Sequence, residues 1–242
     1  MVWKNSASLR LCGENYDRGY QDTLIPQPPL RPNETLISTI RHGLTELNRS
    51  KRTGGRTDAP LIPAGRAQAE EAHDTFDGTP FDVAYSSSLS RAIETAKLVV
   101  GIEPPQLIVD DLCIERSFGK MEGLTRAEIM QRYPEVVYVP IGHVHYSLNP
   151  PDGESFELVQ ARARQFLWKL LKQQRGRRIL VFSHQNFMQQ LHAVMRDEDP
   201  MKALEYDILN CELNQFQLDA SGNLIAHQSF QLVQNANAHP SF

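Results

Sequence analysis

Cysteine is scarce in this chain. Three of 242 residues are Cys, and Cys12, Cys113 and Cys211 lie far apart. An odd, scattered set makes neither a disulfide framework nor a zinc-ligand spacing. Free thiols in a reducing compartment are expected. Long hydrophobic runs are missing too. No apolar stretch approaches the ~18 residues that span a bilayer. The polar start, from Met1 to Gln21, lacks the apolar segment of a secretory signal. The expected location is therefore the cytoplasm. An excess of positive charge is also lacking: 25 Lys and Arg against 29 Asp and Glu give a formal charge of -4. That balance offers no field to hold nucleic acid or an anionic membrane. An anion handled by this chain has to be held by individually placed Arg and His. Internal repeats and low-complexity tracts are absent.

What is present is an ordinary folded composition, 40% hydrophobic and 22% charged. A chain of this length buries a sizeable core. Residues 1–34 differ from the rest. They are polar, with prolines at 26, 28, 29 and 32. They read as an extension, draped on the domain or disordered, preceding one domain over 35–242.

From Thr35 the pattern alternates. Strands are expected at 36–40, 83–85, 107–109 and 179–182, with helices at 64–76, 89–100, from 155 and 186–195. Leu89, Ile93, Ala96 and Val100 are expected to share one buried face. Thr125 and Glu128 have the spacing of a capping box. Residues 134–153 read as irregular. Two last strands, 211–218 and 224–230, flank the Asp219 to Gly222 turn. The order predicts an α/β fold, a three-layer α/β/α sandwich with a mostly parallel central sheet. In such sheets ligands bind beyond the carboxyl ends of the strands.

The residues at those ends are informative. Arg41 and His42 follow the first strand. Ser87 and Arg91 follow the second, Glu115 the third, and His184 and Gln185 the strand ending at Phe182. Taken singly, each is more often a surface or structural residue. Together, two guanidinium forks, two imidazoles and a carboxyl suit a phosphate dianion. Arginine chelates its oxygens, histidine attacks phosphorus, and a carboxylic acid protonates the leaving oxygen.

The ordered set resembles the histidine phosphatase, or phosphoglycerate mutase-like, superfamily. The matching residues are Thr39 to Thr45 with its Arg-His-Gly signature, Asn48, Asp58, Ser86 to Arg91, Glu115 with Phe118-Gly119, Gly153 to Ser155, and Val181 to His184. The resemblance implies that His42 is the nucleophile and forms a phosphohistidine. It implies that Arg41, Arg91 and His184 cradle the phosphoryl oxygens with Asn48, and that Glu115 is the general acid and then the base. No metal and no cofactor are implied.

Glu115 follows Arg91 without the long insertion of phosphoglycerate mutases, and Phe118 stands where those mutases carry a Tyr. This favours a phosphatase. The stretches Arg41 to Asn48, Thr125 to Glu135, Gly153 to Arg162 and His184-Gln185 are similar to the fructose-2,6-bisphosphatase type of sugar phosphatase. Gln189 stands where that type has an Arg. Thr45, Gln185, His143 and His145 are the further candidates for substrate contact. His143 and His145 also alternate with Val144 as in a half-buried strand. The expected partner is a small phosphorylated substrate such as a sugar phosphate, with no nucleic acid and no membrane, and with monomer and dimer both open. The alternatives are mutase-type phosphotransfer, and a phosphoprotein phosphatase or binding module that uses residues 1–34 as an arm.

Overall fold

The computed structural model describes residues 25–142 and 144–234. Cys12, most of the 1–34 extension and His143 lie outside the described residues. The elements in chain order are β1 (Thr35–Arg41), α1 (Glu46–Arg49), α2 (Pro63–Phe76), β2 (Val83–Ser86), α3 (Ser90–Val100) and β3 (Leu107–Val109). Then come α4 (Arg126–Arg132), the hairpin β4 (Tyr138–Ile141) and β5 (Val144–Ser147), and α5 (Phe156–Gln173). The last are β6 (Arg178–Ser183), α6 (Gln185–Arg196), β7 (Glu212–Leu218) and β8 (Leu224–Gln231).

The main sheet has the order β3-β2-β6-β1-β7-β8. β3, β2, β6 and β1 run parallel, and β7 and β8 close one side antiparallel. β6 is central and apolar on both faces, so its residues alternate between two cores. Leu180 and Phe182 face α2 and α3, together with Ile40, Ala69, Ala72, Phe76 and Val99. Ile179 and Val181 face α5 and α6, together with Val159, Phe166, Leu170, Phe187 and Leu191. The period of two in a strand sorts these residues to opposite layers. The result is the three-layer α/β/α sandwich.

The structure departs from the sequence reading in three places. Residues 134–153 are not wholly irregular. They carry the β4–β5 hairpin, in which Tyr138 pairs with Ser147 and Pro140 with His145. Four-residue strands interrupted by Pro140 and Gly142 leave little periodic signal. The buried residues of α3 are Arg91, Ala92, Thr95, Ala96 and Val99, while Ile93 and Val100 are only partly buried against the same core. Small residues let this helix approach the sheet closely, and a charged residue is buried among them. On α5, Leu158 is 58% exposed although it lies in an apolar-rich helix.

The described part of the extension lies against the sheet. Ile25 is buried in the α2/α3 core. Arg178 Nη2 donates to the Pro28 carbonyl at 3.2 Å, and Gln217 Nε2 to that of Pro29 at 3.4 Å. Cys113 and Cys211 are free thiols, both buried. Among the described residues no helix is long and apolar enough to cross a membrane.

Candidate active site

The carboxyl ends of β1, β2 and β6 meet at one edge of the sheet. β1 delivers Arg41 and His42. β6 delivers Ser183 and His184, and the His42 N–H donates to the Ser183 carbonyl at 3.1 Å. The next residue on the β1 side is Gly43. A Cβ there would sit 2.4 Å from the Gly65 carbonyl oxygen, because α2 passes against the turn. Only glycine lets the backbone bend there with His42 at the edge. Thr95 of α3 fastens this turn: it accepts from the Gly43 N–H at 3.1 Å and donates to the Arg91 carbonyl at 2.6 Å.

His42 is 4% exposed. Its Nδ1 lies 2.7 Å from the Gly43 carbonyl, which can only accept, so Nδ1 carries the proton. Its Nε2 accepts from Arg91 Nε at 3.3 Å. Burial first, then the charges of Arg91 and Arg41, hold this ring well below the ordinary histidine value of 6.5. His42 is therefore neutral, with a lone pair on Nε2. Its carbonyl is held by Asn210 Nδ2 at 2.6 Å.

Both arginines are braced by neutral carbonyls. Arg91 donates from Nη1 to Thr57 at 2.9 Å and from Nη2 to Gly55 at 2.7 Å. Arg41 donates from Nη1 to Ile208 at 2.5 Å, while its Nε has no protein partner. These partners are neutral, so both arginines keep charge to offer an anion. The loop that carries Gly55 is held by Glu122, which accepts from the N–H of Arg56 at 3.0 Å and of Phe118 at 3.1 Å. Gly55 has φ +53, and a Cβ there would fall 2.3 Å from Glu122 Oε1. Asp58 accepts from Ser90 N–H at 2.8 Å and so steadies the start of α3.

His184 is fully buried, with its ring centroid 5.1 Å from that of His42. Ser87 Oγ lies 2.7 Å from His184 Nε2 and accepts from the Leu89 N–H at 3.4 Å. The other ring nitrogen, Nδ1, has no protein partner. Burial first, then Arg91 and His42, hold this ring well below 6.5.

Glu115 is brought to the same place by the turn after β3. One carboxylate oxygen accepts from the N–H of Arg116 at 2.7 Å and of Phe187 at 3.1 Å, and the other from Asn186 N–H at 3.3 Å. The last two N–H groups open α6. Arg41, His42, Arg91 and Glu115 line one solvent-open cleft of about 500 Å³, with Phe118, Asn186 and the predicted Thr45, Asn48 and Gln185 on its walls. Thr45 and Asn48 cap each other across α1. His145 lines an adjoining cleft.

Some members of this edge carry no sequence signal. The Asn210 amide and the Ile208 carbonyl come from the loop before β7, and only the β1–β7 pairing brings them under His42. Ser87 was visible as part of a serine run, but its role as the partner of His184 follows from the β2–β6 pairing.

Comparison with known proteins agrees with this construction. The model of the histidine phosphatase superfamily (branch 1) matches residues 37–230. The 2,3-bisphosphoglycerate-dependent phosphoglycerate mutase 2 of Gloeobacter violaceus is 30% identical over 194 residues, covering 77% of this chain and 87% of the relative. The corresponding mutase of Parvibaculum lavamentivorans is 29% identical and covers 78% and 93%. Among solved structures, the alpha-ribazole phosphatase from Shigella flexneri superposes with a TM-score of 0.67 at 25% identity over 78% of this chain and 93% of that one. A phosphoserine phosphatase of Entamoeba histolytica gives a TM-score of 0.65 at 25% identity over 80% and 96%. The chain belongs to the histidine phosphatase superfamily.

Proposed function

We propose that this protein is a phosphomonoesterase that acts through a phosphohistidine on a small phosphorylated metabolite, without a metal. The observation that carries the reading is the state of His42: a neutral imidazole with its Nε2 lone pair beside two carbonyl-braced arginines. In the first step Nε2 forms a bond to phosphorus and the ester P–O bond breaks. The leaving oxygen takes a proton from Glu115. The Arg91 Nε–H that rests on His42 turns to a phosphoryl oxygen, joined by Arg41 and His184. In the second step water attacks phosphorus and returns a proton to Glu115. The N–P bond breaks and its electron pair returns to Nε2. The arginines supply the positive charge that stabilises the transferring group.

The sugar-phosphatase resemblance makes a sugar phosphate one candidate substrate. A mutase reading has its own support, since curated relatives at about 30% identity carry that name. The two differ in the fate of the phosphoryl group. Rapid quenching with labelled substrate is expected to trap an acid-labile, base-stable phosphate on wild type and none on His42→Ala. The label is then expected to leave as inorganic phosphate. Label on a serine or an acidic residue overturns the reading, and transfer to a second hydroxy acid in place of water selects the mutase. A panel of phosphopeptides tests the phosphoprotein alternative.

A further inference from the structure

Beside the cleft that holds His42 lies a second cleft of similar size, about 500 Å³, that shares Phe118, Gln185 and Asn186 with it. The two therefore adjoin across these residues. Its walls are largely apolar: Phe118, Met121, Ile129, Val144 and the ring of Tyr146. The β4–β5 hairpin supplies one side and α4 the other.

Polar groups on these walls have been left without partners. Arg116 is fully buried at 0% exposure. Its Nε donates to the Glu154 carbonyl and its Nη2 to the Ser147 carbonyl, both at 2.8 Å, while Nη1 has no partner. Its plane is fixed over Phe156, 3.8 Å from the ring centroid. The carboxylate of Glu154 is engaged elsewhere, by Arg162 at 3.0 Å and Arg56 at 3.0 Å. Tyr138, Ser147 and Asn186 line the same cleft, and Tyr138 Oη, Ser147 Oγ and Asn186 Oδ1 are likewise buried without partners. A buried guanidinium N–H with nothing to donate to is costly. Three donors and one acceptor left open around one cavity is the pattern of a site made for a ligand.

We propose that this cleft is the leaving-group subsite, and that it selects phosphomonoesters whose alcohol carries an apolar body bearing a hydrogen-bond acceptor for Arg116, Tyr138 and Ser147. The inference rests on the phosphomonoesterase reading of the neighbouring cleft and narrows it. A polyol such as a sugar has more hydroxyls than these walls can satisfy, and each one desolvated against Met121, Ile129 or Val144 opposes binding. A flat or branched apolar body loses nothing there and gains from burial. Carboxylate and carboxamide share the acceptor chemistry, so both are accepted, the carboxylate more tightly because its bond to Arg116 is charge-assisted.

The test uses three primary alkyl phosphates of matched leaving group: glycerol 3-phosphate, 3-phenylpropyl phosphate, and the latter with a para-carboxamide or para-carboxylate. Binding to His42→Ala is measured by calorimetry, which needs no turnover. The phenylpropyl ester is expected to bind at least ~10-fold more tightly than glycerol phosphate. Adding the acceptor is expected to gain a further ~10-fold or more. Adding Arg116→Met is expected to bring the ratio between acceptor-bearing and acceptor-free ligands down to about one. A merely structural role of Arg116 would weaken both ligands together and leave their ratio intact, which overturns the proposal. If Arg116→Met does not fold, Tyr138→Phe, which removes one hydroxyl, is expected to cut the same ratio ~3- to 10-fold. Equal binding of glycerol phosphate and the phenylpropyl esters overturns the subsite. Absence of hydrolysis of every ester by wild type overturns the phosphomonoesterase reading instead, and the binding ratios then still judge the cleft.

Discussion

Three histidine rings, His42, His184 and His192, are almost completely buried and held neutral, chiefly by burial itself. This predicts a specific acid weakness. In the unfolded chain each ring takes up a proton near pH 6.5. In the folded protein it does not, because its value there lies well below 6.5. The unfolded state then binds more protons, so stability rises with pH and falls as pH drops through about 6.5. The loss continues downward until the folded-state values are reached. At pH 5.5 an unfolded histidine is about ten to one protonated, which costs the folded state a little over ~1 kcal/mol per ring relative to pH 8. For three rings the loss is about 4 kcal/mol, a large share of the ~5–15 kcal/mol that holds a domain together. His227, its ring stacked on Phe216, is also held low, at about 4, chiefly by burial, and adds to the loss in the same direction from its more exposed position.

Urea denaturation followed by far-UV circular dichroism at pH 8, 7, 6.5, 6 and 5.5 measures it. The slope of unfolding free energy against pH is expected to approach three protons per molecule from these rings at the acid end, with His227 adding to it. His192 sits away from the reaction cleft, where its Nε2 meets Thr39 Oγ1 at 2.9 Å and its ring packs on Phe216 with centroids 4.6 Å apart. His192→Gln should remove one proton from that slope. A stability that is flat from pH 8 to 5.5, or that rises, would refute the reasoning. The same neutrality predicts no acid limb near pH 6.5 in kcat/KM, once the substrate's own ionisation is corrected for.

Glu115→Gln should slow an alkyl phosphate by ~10²–10⁴ but an aryl phosphate by ~10-fold or less, since an alkoxide needs a proton to leave and a phenolate does not; equal effects in steady-state assays would move the acid role to another residue. A chelator should leave p-nitrophenyl phosphate hydrolysis unchanged, and loss of activity restored by a divalent ion would remove the mechanism proposed above. Gly43→Ala should destabilise by ~2–3 kcal/mol or more in chemical denaturation, because its Cβ would meet the Gly65 carbonyl at 2.4 Å and backbone cannot rotate away. Ser87→Ala should lower kcat more than it raises KM, since it frees the tautomer of His184 without touching the apolar cleft; a pure KM effect would argue against that part.

The sequence by itself determined the layers and the edge where chemistry sits. The continuous apolar run Ile179 to Phe182 can only be a strand covered on both faces, and the alternation around it forces crossover helices. Residues that follow strands must then gather at one edge, so Arg41, His42, Arg91, Glu115 and His184 were legible before any coordinates. Local rules also held at the Thr125–Glu128 capping box, where both bonds are formed. What only the tertiary structure decided is long-range. The state of His42 depends on Arg91, 49 positions away in sequence, and on the Asn210 amide, 168 away. The open cleft beside it depends on Arg116 being buried among Phe156, Ser147 and Glu154, none of them near it in the chain. Hydrophobic periodicity reports which face of an element is covered. It does not report which polar atoms the covering elements leave unpaired, because that is fixed only when strands choose their neighbours and the hairpin closes over α4.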